Sequence, residues 1–338
     1  MTLTHDIYED LNESLEHGSH HMLSKIYTTP TGISLIYAIN RDTKKRYFYF
    51  RTDWNAADAI PQCKGLSIEN VHLYEYSQVD YFCQIAQTAG DESYIYEIII
   101  EDIRKNVDEL TNEQKVATRI SKILLKWKTF FSQEKSLILS PERQQGLYGE
   151  LLFLNQLIDM FGTMVVTYWG GCDYETHDFY IKGNAIEIKT TSAKAPYKMH
   201  INSEYQLDNE DVEGTLLIEF LILRKSISDG EKLPELILKI RDKLADDLMM
   251  EKMFNKKLEN YGYFDGMEDK YTTGYFIREK HIYHVSEGFP RITKKSICEG
   301  VSCCVYDVLA STCTLFEISE KEKWEKLKGG KIIDRQTC

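Results

Sequence analysis

The sequence predicts a mixed α+β protein, α/β in the arrangement of its central sheet, with a strand-rich region before that core and a helix-plus-strand region after it. Three observations carry this. Residues 1 to about 110 are rich in alternating β-type runs. From Asn112 the apolar period changes to three and four residues. A clean hairpin pattern, THDFYIKGNAIEIKTTS (176–192), then follows a long helix and precedes the apolar run GTLLIEFLIL. The expected division is 1–110, 111–225 and 226–338, in keeping with the length of 338 residues.

Composition excludes several classes. Apolar residues make up 43% and charged residues 28%, a globular balance. Forty-one Lys and Arg against fifty-three Asp and Glu give a net charge of −12. That argues against general attraction to nucleic acid or anionic membrane, while leaving room for a local basic groove. No apolar run reaches the ~18 residues of a membrane span; the best, Gly214 to Leu223, is interrupted by Glu219. The start, MTLTHDIYED, has no apolar stretch of signal-peptide type, so a cytoplasmic protein is expected. The eight cysteines, Cys63, Cys83, Cys172, Cys298, Cys303, Cys304, Cys313 and Cys338, form no CxxC pair and are expected as structural thiols. A zinc site among the clustered Cys298, Cys303, Cys304 and Cys313 is disfavoured, because adjacent Cys303 and Cys304 in an apparent strand Val301–Val308 would face opposite ways. His17, His20 and His21 belong to a polar N-terminal segment.

Within the first region, ISLIYAI and RYFYFRT flank Asn40–Lys45, a hairpin with a polar tip, and SYIYEIIIE (93–101) reads as another strand. Val116, Ile120, Ile123, Trp127 and Phe131 then define an amphipathic helix. Lys115, Arg119, Lys122 and Lys126 line its other side, a pattern that serves a solvated face as readily as a phosphate contact. The next helix starts at Ser140-Pro141, an N-cap followed by proline, and stops near Gly162. Leu147, Leu151, Leu154 and Ile158 form its apolar stripe. Glu150 sits beside that stripe, at the edge of a core, where a carboxylate needs a partner. Gly146 and Gly149 leave room for a close approach.

The hairpin carries the chemistry. A two-residue turn at Gly183-Asn184 would pair Lys182 with Ala185, Tyr180 with Glu187 and Asp178 with Lys189. Phe179, Ile181, Ile186 and Ile188 would share the buried face, and Asp178, Tyr180, Glu187 and Lys189 the other. Glu187 would sit about 7–8 Å diagonally from Asp178. Two carboxylates so placed repel unless a cation lies between them. A hard divalent ion suits such oxygen donors, and a neighbouring lysine stabilises charge that builds on a phosphate. An exposed face with an ordinary cross-strand ion pair is the competing explanation.

Asp178 followed, after eight intervening residues, by Glu187-Ile188-Lys189 resembles the D-x(n)-E-x-K signature of the PD-(D/E)XK nuclease superfamily. The order GLYGELLFL, HDFYIKGNAIEIKTTSA, MHINSEYQL is similar to a bacterial branch of that superfamily found among restriction and antiphage defence genes. The resemblance covers about residues 140–225 and implies a restriction-endonuclease-like mixed-sheet core. It implies Asp178, Glu187 and the Ile188 carbonyl as ligands of Mg²⁺ (or Mn²⁺), Lys189 as the catalytic lysine, and Glu150 as the helix glutamate that supports the site. Gln206 would match a glutamine that follows the hairpin, although Ser203-Glu204-Tyr205-Gln206 also reads as a capping box. His177 stands where the superfamily's name places proline. His177 and His200 are candidates for substrate contact, and Asp173 and Glu175 are the acids most easily confused with Asp178.

The expected activity is therefore Mg²⁺-dependent hydrolysis of DNA phosphodiesters in bacterial defence, with DNA and other defence subunits as partners and an oligomer compatible with the sequence. A DNA-binding or assembly subunit that keeps the fold without cleaving is the alternative, and a thiol or zinc hydrolase a third. No Walker loop is present, so ATP dependence would need another protein. Beyond the core, Pro234 to Tyr261 reads as one long helix whose Met249, Met250, Met253 and Phe254 pack inward. YTTGYFIREKHIYHV and GVSCCVYDVL read as strands, and Lys321–Lys331 as a solvated tail. The twenty-two tyrosines suit half-buried strand positions more than base stacking.

Overall fold

The computed structural model describes residues 3–16, 20–52, 57–63, 65–88, 93–132, 138–173 and 175–329. His17, Lys331 and Cys338 lie outside them, as does the side chain of Phe131. The chain divides into two compact units, Met1–Ser136 with Phe264–Glu268, and Leu137–Tyr263 with Asp269–Cys338.

The first unit opens with helix α1 (Leu3–Glu16), followed by strands β1 (Met22–Thr28), β2 (Ser34–Asn40), β3 (Arg46–Thr52), β4 (Leu66–Val71) and β5 (Tyr81–Gln87). They form an antiparallel sheet in the order β1-β2-β3-β5-β4. The β2–β3 hairpin is the one expected around Asn40–Lys45, with Lys44 at φ 55 in its tip. Helices α2 (Ser93–Asp108) and α3 (Val116–Ser132) complete the unit. Thus SYIYEIIIE is helical, not a strand. A window of β-branched residues hid the helical period, which emerges only further on: Tyr96, Ile99, Ile100, Ile103 and Val107 are buried at three- and four-residue steps. In α3, Val116, Ile120, Ile123 and Trp127 are buried, as their spacing requires.

The second unit holds α4 (Pro141–Phe161), β6 (Phe179–Ile181), β7 (Asn184–Thr191), β8 (Lys198–Ile201), β9 (Leu216–Ser226), β10 (Glu231–Lys232), α5 (Leu233–Leu244), α6 (Leu248–Tyr261), β11 (Gly274–His284), β12 (Tyr306–Leu309) and α7 (Glu320–Lys328). Its central sheet runs β10-β11-β9-β7-β6, with β7 and β9 parallel and the remaining pairs antiparallel. This is the mixed α+β core that the sequence predicts. A separate ribbon pairs β8 with β12.

Several expectations are corrected here. The segment after β8, Ser203–Leu207, is a set of turns, so Ser203–Gln206 does not open a helix as a capping box would. Pro234–Tyr261 is two helices, because Asp247 caps a new start: its carboxylate accepts from Met250 N at 3.2 Å and from the Thr163 hydroxyl at 2.6 Å. Met250 and Phe254 pack inward, but Met249 is exposed. Strand structure begins only at Tyr306, so Cys303 and Cys304 are not on opposite strand faces. Their backbone N–H groups instead bind the Glu204 carboxylate at 3.3 and 2.9 Å. The seven described cysteines are all free thiols, four of them buried.

The segment expected as a solvated tail is helix α7, docked by a buried ion pair. Lys323 and Glu219 are both fully enclosed, with Nζ 2.7 Å from Oε2. Lys280 approaches the other Glu219 oxygen at 3.0 Å, and Glu320 joins both lysines. The ammonium of Lys323 also lies 4.1 Å from the Trp324 ring centroid and 5.3 Å from that of Phe153. Period alone does not distinguish a lysine-rich solvated helix from one whose single inward lysine meets a buried carboxylate. Removing one partner of a buried pair strands the other's charge. Lys323→Ala is therefore expected to lower the stability of the second unit by about 3 kcal/mol, whereas the paired apolar replacement Glu219→Leu with Lys323→Met restores most of it. Urea denaturation of the three proteins reads this; equal midpoints for wild type and Lys323→Ala would contradict it.

Candidate functional site

The hairpin turn is Lys182-Gly183, one residue earlier than Gly183-Asn184. Both turn residues have positive φ, 50° and 83°, the signature of a type I′ turn that closes a two-residue hairpin. The observed pairs are Phe179 with Ile186, Tyr180 with Ala185 and Ile181 with Asn184. The pairing therefore differs from the expected one by two residues, an even shift that leaves every side chain on its expected face. Asn184 is not a turn residue. It is buried, and its side chain donates to Ile181 O at 3.2 Å and accepts from Thr215 N at 2.8 Å, tying β7 to the start of β9.

Glu187 and Lys189 therefore share one face of β7, and Glu187 Oε1 lies 2.8 Å from Lys189 Nζ. Both are buried, at 1% and 8% exposure, so the face is enclosed rather than open. Asp178 does not stand opposite Lys189. It occupies a bend just before β6, and its Oδ2 accepts the edge N–H of Ile188 at 2.7 Å. The carboxylate takes the place of a ladder partner where β6 has not yet begun. Asp173 is not part of the cluster, since its two oxygens are held by Lys257 and Asn260. Glu175 is an exposed loop acid.

Glu150 arrives from α4, and glycine makes this approach feasible. A Cβ on Gly149 would stand 2.4 Å from Thr190 Cγ2 and 3.3 Å from Ile188 Cγ2, so α4 can lie against β7 only with glycine there. A Cβ on Gly171 would stand 2.8 Å from Asp178 Oδ1 and 3.0 Å from Glu150 Oε2, so both carboxylates crowd over the same glycine. The N–H groups of Gly170 and Gly171 bind Asp178 O at 2.8 and 3.1 Å and fix the loop. Glu150 accepts the Trp169 indole N–H at 2.7 Å and the Tyr261 hydroxyl at 3.2 Å. Lys257, one turn before Tyr261 on α6, donates to Trp169 O and Asp173. Trp169, Gly171, Lys257 and Tyr261 were not identified from the sequence. Tyr261 and Lys257 lie about a hundred residues from the groups they contact, so no local spacing announces them.

Gln206 joins the cluster: its Oε1 accepts from Lys189 Nζ and from Asn202 N, each at 2.9 Å. It braces a turn rather than capping a helix. His177 is fully enclosed, with Nδ1 3.8 Å from Glu187 Oε2. His200 is not joined to the cluster; it is 61% exposed and bonds Asp307 across the β8–β12 ribbon at 2.9 Å.

Burial and crowding set the charges. Burial first, then the charge of neighbouring Glu187, pushes Glu150 up to about 7 against hydrogen bonds from Trp169 and Tyr261. Burial and the charges of Glu187 and Glu150 raise Asp178 well above the carboxylate range. Burial works against Glu187 as well, but the adjacent Lys189 ammonium and His177 outweigh it and lower its pKa. Three carboxyls thus share roughly one lysine, and Glu187 Oε2 is buried without a hydrogen bond. Among the described residues, no three His, Cys, Asp or Glu side chains form a ligand cage. The set offered here is narrower: the carboxylates of Asp178 and Glu187. Those hard oxygen donors, the orphaned Oε2 and the excess negative charge fit a divalent cation such as Mg²⁺; the described cysteines offer no zinc cage.

A family model described as "Putative PD-(D/E)XK family member, (DUF4420)" matches residues 4–311. The chain belongs to that family, and its second unit has the nuclease-like α+β core that the family description implies. No curated protein and no solved structure matches it. Among the described residues, no helix is long and apolar enough to cross a membrane.

The raised carboxyls make a signed prediction for the metal-free protein. A carboxyl whose folded pKa exceeds its unfolded value contributes stability that is complete below the unfolded value and lost as pH rises through the folded one. For Glu150 that window runs from 4.5 to about 7, a loss of roughly 3 kcal/mol, and Asp178 acts with the same sign. Urea midpoints in chelator should therefore fall between about pH 5 and about pH 8. Glu150→Gln should flatten the fall and exceed wild type in stability at the upper end. An unchanged slope in Glu150→Gln would contradict it.

Proposed function

We propose that the protein is a metal-dependent DNA endonuclease that hydrolyses phosphodiester bonds, acting in bacterial restriction or antiphage defence with DNA and other defence subunits as partners. The observation that carries the reading is the meeting of Asp178, Glu187, Lys189 and Glu150 around one enclosed strand edge, with more negative charge than the lysine can balance. Asp178, Glu187 and the Ile188 carbonyl would hold Mg²⁺ or Mn²⁺. Such an ion, when bound, polarises water and neutralises phosphate charge.

The chain's own residues then divide the remaining work. Lys189, released from part of its hold on Glu187 as phosphate enters, stabilises the charge that builds on the non-bridging oxygens while water adds and the P–O bond to the leaving sugar oxygen breaks. Gln206 keeps the lysine aimed, through the bond to its Nζ. Glu150 is held by two neutral donors and has a pKa near neutrality. It therefore suits the handling of a proton at the site better than permanent ligation.

A second reading is a DNA-binding or assembly subunit that keeps the fold but cleaves only with a partner. Two observations favour it: the net charge of −12, and the engagement of Lys189 by both Glu187 and Gln206. The two readings separate in one assay with duplex, single-stranded and modified DNA. Asp178→Ala, Glu187→Ala and Lys189→Ala are each expected to abolish Mg²⁺-dependent cleavage while leaving the circular dichroism spectrum unchanged. Full activity in all three would overturn the nuclease reading. Mg²⁺ binding by the wild type with no cleavage of any of these substrates would favour the partner-dependent subunit.

A further inference from the structure

Among the described residues, His177 lies beside the site with buried polar atoms that the chemistry above does not use. Its side chain is 0% exposed, and neither ring nitrogen makes a hydrogen bond. Nδ1 stands 3.8 Å from Glu187 Oε2, too far for a hydrogen bond but in electrostatic contact with it. That oxygen is the one left over once Oε1 has taken Lys189, and it too lacks a hydrogen bond. On the far side of the ring, Nε2 stands 3.4 Å from Asp211 Oδ1. Asp211 is 47% exposed and accepts the Tyr180 hydroxyl at 2.8 Å through its other oxygen. The edge of the Tyr180 ring closes against the imidazole at 5.4 Å between centroids. The ring is thus seated between an inner carboxylate and an outer one, with a tyrosine fixing both the outer carboxylate and the ring plane.

We propose that His177, seated by Asp211 and Tyr180, is a positioning residue for Glu187. It sets the direction of Oε2, and through that oxygen it sets the affinity of the site for a divalent cation. The inference rests on the cation-dependent reading of the site given above. Outer partners of metal-binding carboxylates fix the carboxylate's orientation, and their loss typically weakens metal affinity by about 10–100-fold. It also gives a purpose to the departure at the position before Asp178: proline has no side-chain nitrogen, so it can hold the backbone there but cannot steer Glu187.

Calorimetric titration of the full-length protein with Mn²⁺, without DNA, tests this apart from activity. His177→Ala is expected to weaken Mn²⁺ binding by about 10–100-fold. His177→Asn, which keeps a polar group beside Oε2, should recover part of that loss, which a purely space-filling role would not predict. Asp211→Ala should weaken binding by a smaller factor, with the thermal midpoint of the metal-free protein unchanged. Wild-type affinity in both His177→Ala and Asp211→Ala, alongside lost affinity in Glu187→Gln, would overturn the inference and leave the site reading intact. Should His177→Ala fail to fold, Asp211→Ala decides, because its side chain is half exposed and unchanged affinity there overturns the proposal. No Mn²⁺ binding by wild type, or undiminished binding by Glu187→Gln, would remove the site reading and this inference with it.

Discussion

Like charges held close in a dry place are the constraint around which the second unit is organised. Glu187 is enclosed on β7, Asp178 is pinned to that strand's edge by the Ile188 N–H, and Glu150 reaches the same spot from α4. Water would screen such a trio, but the burial of Glu187 and Glu150 removes most of that screening and makes unbalanced charge costly. The protein answers with one ammonium, two neutral hydrogen-bond donors on Glu150 and raised pKa values for two of the three acids. A structure built only for stability would replace such a group with apolar side chains. Such a cluster is what the cation-dependent reading proposed above requires.

The support for that centre comes from beyond the hairpin. Glycine at 149 lets the helix touch the strand, and glycine at 171 lets two carboxylates share a corner. Helix α6 then reaches back with Lys257 to hold the Trp169–Asp173 loop and with Tyr261 to hold Glu150. Arg143 stacks on the Tyr261 ring at 5.2 Å, which joins the start of α4 to the same assembly. The functional core in this family member therefore extends well past the hairpin and the strand that follows it. An account limited to residues 140–225 leaves out half of what fixes Glu150.

Much of this was legible in the sequence, and the misreadings have physical causes. The two faces of the hairpin were readable because side chains alternate with period two, so an even error in register costs nothing. The turn itself was misread because asparagine is a common turn residue, while Asn184 is spent on a buried brace to β9. Glu150 was visible as a core-edge carboxylate needing a partner, and its partners Trp169 and Tyr261 were not, since contacts over such sequence distances leave no periodic trace. The β-branched run at 93–101 imitated a strand until its later, helically spaced neighbours were counted. Lys323 read as solvent-facing because the carboxylate that receives it, Glu219, sits a hundred residues earlier inside an otherwise apolar strand.

The central claim is that the crowded acids exist to hold a divalent cation. Anomalous diffraction from crystals soaked in Mn²⁺ addresses it without relying on any substrate. The account predicts a single strong peak at coordination distance from Asp178, Glu187 and the Ile188 carbonyl. A protein that takes up no manganese there, while its acids keep the ion pairs and hydrogen bonds described above, would contradict it.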